Sequence, residues 1–291
     1  MAAGNIDGRT AVCGLIGNPV EHTLSPDIHN TLAGFCGVNL AYVPFRVENG
    51  DLEAAVRGAY ALSVRGLNVT VPYKKEVLPL LCGIDPLAKE IGAVNTLVRA
   101  DRGFFGYNTD MTGLYRAMQE DGVGFEGEEV VLLGAGGVGR AVAFLCARKG
   151  AGRVYLLNRS GQKAAGVAKE VNERTGRDCV RAMELGDWRS LPKKRMLTVQ
   201  ATSAGLYPDC ERAPIEDPDF YGRVETGYDL IYQPARTKFM RLAGEAGAKA
   251  YNGLKMLLWQ GVEAFELMNG VAVPSEQAGR IYELLLKKTE I

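Results

Sequence analysis

The stretch E-E-V-V-L-L-G-A-G-G-V-G-R, Glu128 to Arg140, decides the fold. An apolar run of strand length, V-V-L-L, breaks into Gly134, Gly136 and Gly139, and the helical pattern A-V-A-F-L-C-A follows at once. This is G-x-G-x-x-G in the context that gives it meaning, after a strand and before a helix. The first glycine permits a tight turn, the second lets backbone amides approach a pyrophosphate, and the third lets helix and strand pack closely. Gly134, Ala135, Gly136, Gly137, Val138 and Gly139 are therefore expected to cradle a dinucleotide. Downstream, R-V-Y-L-L-N-R-S from Arg153, M-L-T-V-Q-A-T-S-A-G from Met196 and G-Y-D-L-I-Y from Gly227 are separated by helix or loop, which predicts a parallel sheet.

In such a sheet the end of the second strand lies beside the adenosine ribose, where a carboxylate favours a free 2′-hydroxyl. Here that end reads Asn158, Arg159, Ser160, with Lys163 close behind. No carboxylate opposes a 2′-phosphate, and the arginine offers a planar fork for phosphate oxygens. The expected cofactor is NADP(H) rather than NAD(H).

Upstream, strand-like and helical patterns alternate from A-V-C-G-L-I-G at Ala11. A helix is expected to open at Ser25-Pro26, with Ser25 as N-cap and proline at the first helical position. The run L-A-Y-V-P-F-R-V, a helix from Leu52 to Leu62, the strand G-L-N-V-T-V and a short helix from Tyr73 to Leu81 follow. After a helical stretch near Asp85 to Ile91, V-N-T-L-V-R and G-F-F-G-Y read as an antiparallel hairpin at the sheet edge, and a helix runs from about Thr112 to Glu120. The glycine-rich, acidic D-G-V-G-F-E-G-E-E reads as a boundary loop, and helices Leu254 to Met268 and Ser275 to Lys287 close the chain.

Polar residues in the first half gather where strands end: Asn68 and Thr70, Asn95 and Thr96, Asn108 and Asp110. Ligands of open α/β sheets bind at such ends, and amides and hydroxyls suit a polyhydroxylated ligand. Lys74 and Asp110 are the expected proton-transfer pair, an ammonium and a carboxylate able to move a proton on and off a substrate oxygen. Lys74 stands at the start of the expected helix, where the dipole gives a cation no advantage. Gln260 points into an apolar sector of its helix, so its amide needs a partner: a ligand or an internal group.

Composition narrows the remainder. Apolar residues make up 47% and charged residues 23%, and Lys plus Arg balance Asp plus Glu at 34 each, so no net field draws in nucleic acid or an anionic membrane. The cysteines Cys13, Cys36, Cys82, Cys146, Cys179 and Cys210 form no C-x-x-C, which argues against a zinc cluster or disulfide framework. With no signal-peptide core and no apolar run near the roughly 20 residues needed to span a bilayer, a cytoplasmic protein with no metal is expected.

Over nearly its whole length the chain resembles the shikimate dehydrogenases. The motifs occur in the family's order: G-N-P-V-E-H-T-L-S-P-D-I-H-N from Gly17, N-V-T-V-P-Y-K from Asn68, G-A-V-N-T from Gly92, N-T-D-M-T-G from Asn108, G-A-G-G from Gly134, N-R-S from Asn158, Y-D-L-I-Y from Tyr228 and N-G-L-K-M-L-L-W-Q from Asn252. The resemblance implies reversible reduction of 3-dehydroshikimate to shikimate with NADPH, on the route to chorismate and the aromatic amino acids. It implies an α/β fold of two domains. The substrate domain, residues 1–110 plus 254–291, would carry a mainly parallel sheet and regain the C-terminal helices. The Rossmann-type domain would be residues 111–253.

By the same resemblance Thr23 and Ser25 hold the substrate carboxylate with Tyr232 nearby, and Asn68, Thr70, Asn95, Asp110 and Gln260 meet the ring hydroxyls. Thr202, Ser203 and Gly253 fall on the nicotinamide side, in a cleft able to close over both ligands. The chain departs from the family pattern at Thr23 and Ser160, where serine and threonine are usual, and at Gln200, where asparagine is common. The alternatives are a quinate/shikimate dehydrogenase using NAD(H) or NADP(H), which usually has an acidic residue after the arginine where this chain has Ser160, Gly161 and Gln162, and a non-catalytic relative. A small-molecule substrate, no nucleic acid or membrane partner, and a monomer or homodimer complete the expectations.

Overall fold

The computed structural model describes Ile6 to Thr289. Contacts divide the chain into two compact units. The first reaches Arg116 and takes in Leu257–Leu285; the second is Ala117–Met256 with the residues from Leu286 on.

The first unit contains β1 (Ala11–Gly17), α1 (Ser25–Cys36), β2 (Leu40–Arg46), α2 (Leu52–Ala61), β3 (Gly66–Val69), β4 (Gly83–Ile84), α3 (Pro86–Ile91), β5 (Thr96–Ala100), β6 (Gly103–Tyr107) and the greater part of α4 (Thr109–Glu120). Its six-stranded sheet has the order β2-β1-β3-β5-β6-β4. β1 runs parallel to β2 and β3, while β5 is antiparallel to β3 and β6. The expected hairpin forms, but it does not end the sheet. β4 pairs with β6 in parallel, and at two residues it is too short for any periodicity to announce it.

Alternation along β1 supplies both faces of this sheet with core. Ile16 packs with Val56, Leu67, Val69, Tyr73 and Leu97 on one side. Cys13 and Leu15 pack with Tyr42, Ala264 and Met268 on the other.

Local expectations need correction at three places. Residues 73–81 form successive turns ending in a 3-10 segment at Leu78–Leu80 rather than an α-helix. The Lys74 carbonyl accepts the Val94 amide at 2.8 Å, and Pro79 has no N–H to return to the Lys75 carbonyl, so the helical ladder cannot propagate. Lys74 therefore sits in a turn, not at a helix start. Ser25 is the first residue of α1 and Leu24 occupies the cap; the Thr23 hydroxyl, not that of Ser25, accepts a backbone amide, that of Ser25 at 3.2 Å. Finally, α4 begins at Thr109 because Asn108 acts as its cap, accepting the Met111 amide at 3.3 Å.

The second unit contains β7 (Glu129–Leu133), α5 (Gly137–Arg148), β8 (Arg153–Asn158), α6 (Gly161–Thr175), β9 (Val180–Glu184), β10 (Met196–Gln200), α7 (Pro218–Tyr221), β11 (Val224–Asp229), α8 (Lys238–Glu245) and β12 (Lys249–Tyr251). The chain closes with α9 (Leu254–Asn269) and α10 (Ser275–Thr289). All strand pairs here are parallel, in the order β12-β11-β10-β7-β8-β9. That is the doubly wound arrangement, with its reversal of strand order between β7 and β10, where ligands of such sheets bind. Burial on both faces explains why V-V-L-L reads as continuously apolar: Val130, Val131, Leu132 and Leu133 are at most 1% exposed. β11 stops at Asp229, short of the expected Tyr232, because the Ile231 amide turns back to the Asp229 carboxylate instead of to a neighbouring strand. Among the described residues no helix is long and apolar enough to cross a membrane.

Candidate active site

In the first unit the Lys74 ammonium donates to Asp110 Oδ2 at 2.7 Å, with the two side chains 32% and 19% exposed. Each partner is held from behind. Beside Lys74, Tyr73 is buried and its hydroxyl donates to the Val47 carbonyl at 2.8 Å, which anchors the turn. Asp110 lies in the first turn of α4, where the helix dipole favours a carboxylate. Its other oxygen, Oδ1, accepts from Asn95 Nδ2 at 2.9 Å. Asn95 Oδ1 takes the Thr109 amide at 2.8 Å, so the amide orientation, and with it the carboxylate plane, is set by the backbone.

Asn68 is buried beside this pair, donating to the Asn95 carbonyl at 3.2 Å and to Thr96 Oγ1 at 3.1 Å. Thr70 is half-buried one residue beyond β3, its methyl packed where a Cβ on Gly17 would come within 2.3 Å. Thr23 and Ser25 share a hydrogen bond of 3.1 Å. Gln260 also belongs to this unit, and its Nε2 donates to the Leu257 carbonyl of its own helix at 2.9 Å, the internal partner that its sequence position left open. Gly113 explains how α9 reaches α4: a Cβ there would stand 2.5 Å from the Gln260 amide nitrogen, so only glycine lets the two helices cross one turn after Asp110. Asn108 is occupied as a cap and as a donor to the Ala93 carbonyl at 3.0 Å.

In the second unit, Gly134 adopts φ +107°, a conformation that L side chains rarely take. A Cβ on Gly139 would stand 1.9 Å from the Gly134 carbonyl oxygen, which is the close strand-to-helix contact expected of the third glycine. Gly136 caps α5 without any side-chain bond, and nothing lies within 4 Å of a Cβ on Gly136 or Gly137, so no side chain crowds the start of α5, whose first amides lack helical partners. Ala135 is buried and Val138 is exposed beside them. A cleft of about 370 Å³ is lined by Gly134, Gly136, Asn158, Arg159, Lys163, Thr202 and Ser203. Leu185, Asp209, Arg212 and Pro214 also line it, and no sequence pattern had singled them out.

This cleft suits a dinucleotide phosphate. Bare helix amides offer donors to a pyrophosphate, and Arg159 and Lys163, both exposed, face the same space. Asn158 supports the loop, since its Oδ1 accepts the Ala135 amide at 3.2 Å. The Ser160 hydroxyl caps α6 by accepting the Lys163 amide at 3.2 Å, so the serine does what a threonine would do there.

Gln200, the departure from asparagine, holds the loop after β10. Its Nε2 donates to the Ala204 carbonyl at 3.0 Å and to Asp229 Oδ1 at 3.3 Å, and its oxygen accepts the Thr202 amide. Tyr232 follows β11, and burial raises its phenol pKa. Gly253 is a close approach, with a Cβ there only 2.3 Å from the Leu230 carbonyl oxygen. Among the described residues, no three His, Cys, Asp or Glu side chains gather as a metal site.

Burial pushes the Asp229 carboxyl from 3.8 up to about 6, against the bonds it accepts from Thr237 and the Ile231 amide. A raised pKa means that the folded chain keeps a proton the unfolded chain has released. Stability due to this group therefore falls as pH rises from about 4 to about 6 and is level above that window. Relative to an Asp229→Asn variant, the wild-type unfolding midpoint is expected to decline across that interval. A constant difference between the two proteins from acid to neutral pH would show that Asp229 does not titrate there.

The motifs have relatives of known kind. The family model described as the shikimate dehydrogenase substrate binding domain matches residues 15–97, and that of the shikimate 5′-dehydrogenase C-terminal domain matches residues 253–278. The shikimate dehydrogenase (NADP(+)) of Moorella thermoacetica is 41% identical over 278 residues, covering 95% of this chain and 94% of that protein. The crystal structure of shikimate 5-dehydrogenase from Listeria monocytogenes with shikimate and NAD is 30% identical at a TM-score of 0.87, covering 96% of this chain and 98% of that one. That of the Thermus thermophilus enzyme with NADP(H) and shikimate is 32% identical at a TM-score of 0.82, covering 94% and 99%. Likeness of this extent, carried through both units, shows that the chain belongs to the shikimate dehydrogenase family.

Proposed function

We propose that the chain catalyses the reversible NADPH-dependent reduction of 3-dehydroshikimate to shikimate. The observation that carries the reading is the 2.7 Å contact between Lys74 and Asp110, set among Asn68, Asn95 and Thr109. We assign the first unit to substrate and proton transfer and the second to the dinucleotide. The cofactor, when bound, supplies the hydride that reaches the carbonyl carbon. Lys74 stabilises the charge that develops on the carbonyl oxygen and, with Asp110, delivers its proton. The two act as a coupled pair, so the proton belongs to both. Thr23 and Ser25 supply hydroxyl donors to the ring carboxylate, and Thr70 and Gln260 meet ring hydroxyls together with the asparagines. Arg159 and Lys163 receive the 2′-phosphate.

Nicotinamide absorbance on mixing the protein with NADP⁺ and shikimate tests reaction, substrate and cofactor together. NADP⁺ with shikimate should be the fastest of the four combinations made from NAD⁺ or NADP⁺ with shikimate or quinate. Robust NAD⁺-linked quinate oxidation would overturn the assignment. Loss of the charge-assisted hydrogen bonds of Arg159 in Arg159→Ala is expected to raise KM for NADP⁺ by about 10- to 100-fold. The KM for NAD⁺, which lacks the 2′-phosphate, should stay near its wild-type value.

A further inference from the structure

Tyr42 was singled out by no motif, yet it bonds directly to Asn68, a group assigned to the substrate. It lies on β2, is 2% exposed, and its hydroxyl donates to Asn68 Oδ1 at 2.8 Å. A phenol has one proton to give and keeps lone pairs to accept. That proton goes to Asn68, so the phenol and the amide form a directed pair.

This bond fixes what Asn68 can present. Both protons of its Nδ2 are engaged, by the Asn95 carbonyl and by Thr96 Oγ1. Asn68 thus meets a ligand as an acceptor, through the part of Oδ1 that Tyr42 leaves free. The phenol that enforces this cannot swing away. His29 stacks on its ring at 4.1 Å between centroids and 11° between planes. Burial holds the His29 ring neutral by lowering its pKa to about 3, so the stack does not acquire a charge near neutral pH. Next to it, Asn30 grips the Tyr42 backbone from both sides, donating to its carbonyl and accepting its amide, each at 2.9 Å. Two adjacent residues of α1 therefore fasten one residue of β2.

We propose that Tyr42 is a positioning residue for the substrate, holding the Asn68 amide so that its oxygen accepts from a ring hydroxyl, and that it sets affinity without entering the chemistry. The proposal rests on the substrate reading above.

Tyr42→Phe keeps the ring and its stack and deletes only the hydroxyl. Loss of one buried hydrogen bond is expected to raise KM for shikimate about 5- to 10-fold, with kcat and KM for NADP⁺ changed less than about twofold. A double-mutant cycle with Asn68→Ala separates positioning from general packing. In the Asn68→Ala background, Tyr42→Phe should change kcat/KM by less than about twofold, because the group it acts through is gone. An equal loss in both backgrounds, a fall in kcat at unchanged KM, or no effect at all would overturn the proposal. A wild-type chain inert toward shikimate overturns the substrate reading and this one together, whereas an active wild type with an indifferent Tyr42→Phe overturns only this one.

Discussion

Replacing Lys74 with alanine is expected to lower kcat by about 100- to 10,000-fold, the range typical of a positioned acid–base group, while KM for shikimate changes little. The ammonium is held 2.7 Å from Asp110 by a turn whose own hydrogen bonds involve Tyr73 and the Lys74 carbonyl, not the Lys74 side chain. Its removal should therefore leave the site standing and delete a charge needed mostly as the transition state forms. Asp110→Asn should lose a similar factor, and the double variant should be little worse than either single one, since coupled groups act as a unit. Steady-state kinetics in the direction of shikimate oxidation provide the check. Undiminished turnover in Lys74→Ala would remove this residue from the mechanism, and full additivity in the double variant would break the pair.

The other large effect is expected at Gly139. An added Cβ would stand 1.9 Å from the Gly134 oxygen and 2.8 Å from the Gly134 carbonyl carbon. Both are backbone atoms, so no side-chain rotation relieves the contact. Either α5 shifts away from β7 or the glycine turn opens, and both displace the amides offered to the pyrophosphate. Overpacking of this kind costs about 1–3 kcal/mol, which corresponds to about 5- to 150-fold weaker NADP⁺ binding if it falls on the cofactor site. Gly166→Ala is the matched control, because α6 has nothing within 4 Å of a Cβ at that position. Calorimetric titration with NADP⁺ distinguishes them. Wild-type affinity in Gly139→Ala would mean that the tight crossing is dispensable for the cofactor.

Legibility in the sequence followed the range of the forces involved. The turn at Gly134 and the buried strand V-V-L-L depend on neighbours along the chain or on uniform burial, and both were readable. Pattern failed where distant partners claimed a backbone group. Residues 73–81 look helical until Val94 takes the Lys74 carbonyl, and G-Y-D-L-I-Y looks like one strand until Asp229 captures the Ile231 amide. Asn108 stood out by residue type among the polar groups at strand ends, and its side chain caps α4; Gln260, whose partner the sequence left open, bonds its own helix through Nε2.

The order of motifs along the chain was enough to establish the dinucleotide turn, the basic end of the second strand and the candidate proton-transfer pair, because each is a short-range or compositional demand. Tertiary structure alone decided which atoms those residues face. Hydrogen-bond direction depends on partners brought from remote segments: Tyr42 reaches Asn68 from 26 positions away, and Asn95 reaches Asp110 from 15. Such pairs leave no periodic trace in sequence, since their geometry exists only once the sheet has brought the strands together.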